Sequence, residues 1–337
     1  MSTSQVPAVI DNLLSSQAFI RSGEVARAAG VSRQAAHYHL RRMTEAGLLV
    51  ATGAGRGAKY RRRALWTEQH LLDGLQEDAV WRGDTATLEK LSPEVFDNPN
   101  VRRILNWAFT EMLNNAIDHS DGTAVRVSWF VNPNHVAFEI EDDGIGVFRR
   151  VRESRQLETD QEAIGEISKG KQTTAPDQHS GMGIFFTTKM VNKFSLSSGQ
   201  TSWSVDRTRD DQAIGWIASE RKGTLVRCEI AFDTDRDPKT VFDAFSDPET
   251  LEFSHSTVRV DLFKEAGIFV SRSEAKRLAA HLDDFQRVEI DFTGIDEVGQ
   301  GFIDELFRVW SRNHPHTELT PVHANPAVHS MIAKAVA

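Results

Sequence analysis

The stretch VRRILNWAFTEMLNNAIDHS at 101–120, with the two alternating segments after it, leaves few choices of fold. Leu105, Phe109, Met112, Leu113 and Ala116 recur at helical spacing and give the segment one apolar face. Glu111, Asn115 and His119 stand four residues apart and share a different face. In AVRVSWF, Val125, Val127 and Trp129 alternate with Arg126 and Ser128. In HVAFEIEDDGIGV, Val136, Phe138 and Ile140 alternate with Ala137 and Glu139. A period of two predicts strands, with Asn132-Pro133-Asn134 as the turn between them.

The second strand ends in Asp142-Asp143-Gly144-Ile145-Gly146, and a polar stretch containing glycine and lysine follows. Then His179-Ser180-Gly181-Met182-Gly183-Ile184 opens another helical pattern, and Gly223-Thr224 begins the strand GTLVRCEIAF. Taken singly, Asp142-Asp143-Gly144 is also the composition of a plain turn, and Asn115 that of a surface amide.

Taken together, E-x-x-x-N on a helix, D-x-G-x-G at a strand end, a lid, G-x-G opening a helix and a late G-T resemble the GHKL (Bergerat) ATPase domain. That domain is shared by sensor histidine kinases, gyrase, mismatch-repair ATPases and anti-sigma-factor kinases. The resemblance spans residues 100–232 and implies an α/β sandwich that binds ATP with Mg²⁺. It implies that Asn115 offers an oxygen to Mg²⁺, a hard cation. The glutamate matching Glu111 activates water in hydrolysing members. Asp142 would accept from the adenine amine, Gly144 and Gly146 would admit the base, and Thr224 supplies a nearby hydroxyl. Gly181 and Gly183 would present backbone N–H groups to phosphate at a helix N-terminus. Lys169, Lys171, Thr173 and Thr174 fall in the lid, within reach of a γ-phosphate.

The chain departs from the sensor kinases. No two-helix dimerisation segment with a phosphoacceptor histidine precedes the domain, and His70 lacks helical surroundings. Autophosphorylation on histidine is not expected. The glycine pair around Met182 looks closer to the anti-sigma kinases than to the gyrases.

Charge divides the chain. Residues 1–65 hold ten basic and three acidic residues, a net +7, which leaves −16 for the rest of a 337-residue chain of formal charge −9. Such asymmetry suggests a nucleic-acid-binding element on an acidic body. Within that segment Ser22 is placed to cap GEVARAAG, which ends at Gly30, and Ser32 to cap RQAAHYHLRRMTEAG. Ala36, Leu40 and Met43 form a buried stripe, and LLVATGAGRGAKYRRR reads as strand, turn and strand. The order resembles a winged helix-turn-helix, whose mode places the second helix in the major groove of double-stranded DNA. Arg33, Gln34, His37, Tyr38 and Arg41 would face bases; Arg56, Lys59 and Arg61 would face phosphates. The same pattern also serves protein contacts or a solvated basic face.

Residues 66–99 read as helical and acidic, with breakers at Ser92-Pro93 and Asn98-Pro99-Asn100. Two Asp-Pro steps mark a linker at 233–252. Beyond it HSTVRVDLF, AGIFV, RVEIDF and residues 316–322 read as strands, interleaved with helices at SEAKRLAAHLDDF, FIDELFRVWSRN and PAVHSMIAKAVA. Residues 288–306 resemble the STAS domain of anti-sigma-factor antagonists, and more closely an uncharacterised STAS-like domain sometimes found beside GHKL ATPases. The family's acidic strand end maps to Asp291. Gly299 stands where the phosphoacceptor serine would be, so no phosphoswitch is expected there, and Thr293 reads as a turn residue. The polar tip is either a protein-partner surface or ordinary solvated surface.

The expected architecture is therefore multidomain α/β (α+β). It comprises a winged helix-turn-helix at 1–65, a GHKL ATP-binding α/β sandwich at 66–232, a linker at 233–252 and a small STAS-like α/β domain at 253–337. No apolar run reaches the roughly 18–20 residues of a membrane span. Cys228 stands alone, which excludes an intramolecular disulfide and fits the cytoplasm. The expected function is an ATP- and Mg²⁺-binding, DNA-binding regulator in which the ATPase and STAS-like modules control the head. The alternative is a serine/threonine protein kinase of the anti-sigma-factor type acting on a STAS-type partner. Whether ATP is hydrolysed, transferred or only bound stays open, and a homodimer is compatible with either reading.

Overall fold

The computed structural model describes residues 6–16, 19–170, 182–247, 249–250, 253–260 and 271–336. The chain forms two compact units, 1–147 with 191–235 and 148–190 with 236–337.

The first unit begins with α1 (Val6–Ser16), α2 (Ser22–Ala29) and α3 (Arg33–Glu45), followed by the hairpin β1 (Leu49–Thr52) and β2 (Lys59–Arg62). Ile10, Leu14, Ile20, Val25, Ala36, Leu40, Leu49 and Tyr60 form its own core. The cap of α2 lies one residue earlier than expected. Glu24 accepts from the Arg21 amide at 2.6 Å, so Ser22 is already helical. Gly30 ends α2 in the left-handed conformation, and Ser32 caps α3 by accepting from Ala35 N at 3.1 Å.

Next come β3 (Trp66–Leu71), α4 (Glu77–Leu91), α5 (Pro99–His119), β4 (Ala124–Asn132) and β5 (His135–Asp142). Helix α6 (Val147–Arg155) starts at the edge of this unit, and β6 (Lys193–Asp206) and β7 (Asp211–Ala231) complete its sheet. The strands run antiparallel in the order β3-β4-β5-β7-β6. Residues 66–71 are thus an edge strand rather than helix: cross-strand pairing, Trp66 opposite Trp129, overrides a locally helical composition. The inner face packs on α4 and α5 through an aromatic cluster, with Phe109 at 5.3 Å from Trp129 and 5.4 Å from Phe138. The outer face carries Arg126, Ser128, Glu139, Glu141 and Arg227, the polar half of the alternation.

Inside the inner layer, Trp129 Nε1 donates to Asp84 Oδ2 at 2.7 Å. Burial lifts the Asp84 carboxyl to about 6. A raised carboxyl pKa means stability that is present in acid and lost as pH climbs through about 6. Asp84→Asn keeps an oxygen for Trp129 and removes the desolvated charge. It is expected to stabilise the protein by about 1–2 kcal/mol at pH 7.5 and to give no advantage at pH 4. Thermal melts at the two pH values check this, and an equal difference at both would contradict it.

The second unit holds α7 (Asp160–Lys169), α8 (Gly183–Met190), α9 (Pro238–Phe245), β8 (His255–Arg259), α10 (Arg272–Ala279) and β9 (Arg287–Asp291). It ends with α11 (Gln300–Ile303), which runs on through a π-helical turn at Asp304–Trp310 into α12 (Ser311–Asn313), then β10 (Glu318–Val322) and α13 (Pro326–Val336). Its sheet is parallel in the order β10-β9-β8. Phe185 and Phe186 of α8 lie 4.9 and 5.1 Å from Phe253, which lies 5.4 Å from Phe285. The two helices and this small sheet therefore share one core. The AGIFV segment, 266–270, lies outside the described residues. No helix among the described residues is long and apolar enough to cross a membrane.

Candidate functional site

The last residue of β5, Asp142, is buried and aligned with Val125 on the inner face. Its Oδ1 accepts from Gly144 N at 2.9 Å and from Thr224 N at 3.2 Å. Burial raises its pKa above the usual carboxylate range, against the opposing pull of those two amides. The neighbouring Asp143 behaves oppositely. The amides of Ala124 and Thr123 and the Thr123 hydroxyl all donate to it, and its pKa drops to about 2. Of two adjacent acids, one therefore ties the turn to β4 and the other stands at the site.

The turn after Asp142 is wedged against its surroundings. Ile145 N donates to Ser120 O at 2.8 Å, so the end of α5 holds the turn. A Cβ at Gly144 would meet Ser120 O at 2.0 Å, a gap only glycine fits. Gly146 faces Ser198 of β6, and Val147 N donates to the Thr224 hydroxyl at 3.0 Å. Gly223 is left-handed, at φ +70°, and a Cβ there would meet Asp142 O at 2.1 Å. Asp142, Gly144, Gly146 and Thr224 are thus brought together. Ser120, Ser198 and Gly223 join them; only Gly223 carried a signal in the sequence, as the glycine before Thr224.

Helix α5 supplies the second part. Glu111 and Asn115 are half-buried, one turn apart. The Asn115 amide nitrogen is sealed from solvent and has no partner among the described residues. That nitrogen is a donor and no metal ligand; the side chain's oxygen is the atom that could face a cation. The carboxamide and carboxylate oxygens there form a hard donor set of the kind Mg²⁺ takes.

Gly183 opens α8 in the second unit. Gly181, Lys171, Thr173 and Thr174 lie outside the described residues. Lys169 is not a lid residue. Its ammonium is fully buried, paired with Glu166 and donating to Ala280 O at 2.7 Å. Glu166 in turn bonds His281 Nδ1 at 2.9 Å. A charge buried on partners inside the protein is not free to meet a phosphate.

In the N-terminal segment Arg33, Gln34, His37, Tyr38 and Arg41 lie along the exposed face of α3. His37 Nδ1 is 3.2 Å from the Tyr60 hydroxyl, and Arg41 pairs with Glu45 at 3.1 Å. Lys59 sits 4.0 Å over the Phe19 ring, and Arg61 is exposed. The side chain of Arg56 lies outside what the structure describes. At the other end of the chain, Asp291 Oδ1 accepts the Thr293 amide at 2.9 Å and its hydroxyl at 2.7 Å. That hydroxyl is spent on the turn.

A family model for the histidine kinase-like ATPase domain matches residues 85–205. A second, for a STAS-like domain of unknown function (DUF4325), matches residues 274–329. Comparison with curated proteins finds no match. The chain thus carries a histidine-kinase-like ATPase domain, the class of fold that binds ATP, followed by a STAS-like domain. The ATPase match takes in Glu111, Asn115, Asp142 and both glycine motifs but stops short of Thr224.

Proposed function

We propose that this protein is an ATP-dependent DNA-binding regulator. In this reading residues 1–65 form a winged-helix head, and the ATPase and STAS-like domains control it. One observation carries the proposal: the head, whose hairpin is a separate two-stranded sheet, packs against the ATPase sheet through a buried arginine. Arg62 of β2 donates to the carbonyls of Leu14 and Asp11 at 2.5 and 2.7 Å, and it lies 3.9 Å from Glu139 of β5. The strand that ends in Asp142 therefore also touches the head. Within the second unit, Ser256 of β8 donates to the carbonyl of Lys169, the last residue of α7.

At the site, Asp142 would take the adenine amine, Gly144 and Gly146 would admit the ring, and Asn115 would hold Mg²⁺. That ion would neutralise phosphate charge. Glu111 is placed one turn from Asn115 to act on a water. Arg33, Gln34 and Tyr38 offer base contacts, and the basic hairpin offers phosphate contacts that release counterions. ATP shifts the head only if it binds two arrangements of the chain unequally.

The test is binding of genomic DNA fragments with and without Mg-ATP. Affinity is expected to change at least fivefold, about 1 kcal/mol of coupling, and to fall with salt along one slope set by the head's basic residues. Equal affinity and stoichiometry in both conditions would sink the coupling.

A further inference from the structure

A cleft of about 760 Å³ opens between the hairpin strand β2 and the outer face of the ATPase sheet. Neither the nucleotide site nor the exposed face of α3 contributes to it. Lys59, Arg61, Arg62, Arg63, Arg126 and Arg221 line it, against only Glu139 and Glu141. Those two acids are already engaged. Glu141 takes Arg126 at 2.8 Å and also Arg221, and Glu139 takes Arg227 at 3.1 Å with Arg62 at 3.9 Å. The cleft is left with a clear excess of positive charge. The Arg221 side chain is nine-tenths buried, and its Nε is shielded from solvent with no partner among the described residues. Burying cations without matching anions is unfavourable unless something supplies the negative charge. Phe19, Tyr60, Trp66 and Phe130 provide apolar wall between the cations.

We infer that this cleft is a binding site for a small organic anion with a planar, apolar body, an aromatic carboxylate or sulfonate. Guanidinium forks match such planar oxygen pairs, and the aromatic wall accepts the ring. The volume lies in the range of small-molecule pockets. One wall belongs to the hairpin and the other to the ATPase sheet, so an occupant bridges the two. The site stands whether or not ATP or DNA binds elsewhere.

The probe is 1-anilinonaphthalene-8-sulfonate, titrated by fluorescence into the full chain with the nucleotide site saturated by Mg-ATP. One equivalent is expected to bind at micromolar concentration, with salicylate displacing it. Arg221→Gln and Arg126→Glu are each expected to weaken the dye at least tenfold. Arg126 is exposed, so its reversal leaves the fold intact, as an unchanged melting curve will verify. Asp142→Asn is expected to leave dye affinity unchanged, which separates this site from the nucleotide site. Dye binding that ignores both arginine variants overturns the proposal. So does no binding at millimolar dye, or displacement by duplex DNA but not by salicylate.

Discussion

Asp142→Asn is expected to weaken Mg-ATP binding by roughly 30- to 100-fold while leaving the fold intact. Both backbone donors converge on Oδ1. An asparagine oxygen can keep the Gly144 and Thr224 bonds. Its amide group then meets the adenine amine donor to donor. Losing a hydrogen bond to a charged acceptor in a buried site costs about 2–3 kcal/mol, which sets the expected range. The pH dependence carries a second signature. Burial raises the Asp142 pKa, so wild-type affinity is present at neutral pH and falls as acid protonates the carboxyl through that raised value. The variant's weak binding should show no such fall. Calorimetric titration across pH measures both. Affinity within threefold of wild type would remove Asp142 from the adenine site.

The second large effect is expected at Arg62. Its guanidinium is almost sealed off, and burial, with Arg227 beside it, lowers its pKa to about 10, still charged at neutral pH. It is the point where α1, β2 and β5 meet. Truncation to alanine would remove the side-chain bonds to the Leu14 and Asp11 carbonyls. It would also remove one cation from a cluster holding Glu139, Arg227 and Glu229. Burial alone would raise Glu229, but Arg227, His135, Lys193 and Arg62 outweigh it and hold it at about 2. Removing one member of a buried ionic network costs about 3–5 kcal/mol. A fall in Tm of roughly 6–15 °C follows for the transition carrying the head and its sheet. Arg62→Lys is expected to recover only part, because a single ammonium nitrogen does not reproduce the two separately placed guanidinium nitrogens that reach Leu14 and Asp11. Melting curves of the three proteins, with trypsin sensitivity of the head as a second readout, test the point. A stable, protease-resistant Arg62→Ala protein would mean that the head is held elsewhere.

The legible parts of this molecule were those with a strong local period. Helix α5, strands β4 and β5 and the glycine turn after Asp142 follow from spacing alone, because one buried face fixes both phase and register. Strand β3 has no such signature, because WTEQHL lacks a clean alternation and its partner lies some sixty residues on. The burial of Lys169 was invisible for the same reason. Its carbonyl acceptor is Ala280, and nothing near Lys169 announces it. Arg62 read as one more basic residue in a basic hairpin, yet it is the one that turns inward. The positions that needed tertiary structure are those whose partners are distant and polar; apolar periodicity carries no record of them.

The family boundaries and the folding boundaries of this chain do not coincide. Residues 148–190 fall within the matched ATPase segment, yet they fold with the STAS-like strands. A gene fusion or deletion cut at residue 253 would part Phe253 and Phe285 from Phe185 and Phe186 and leave an aromatic surface bare. A recombination that exchanges the STAS-like segment must carry α7 and α8 with it or repair their core, so the junction should resist the shuffling that ordinarily combines domains.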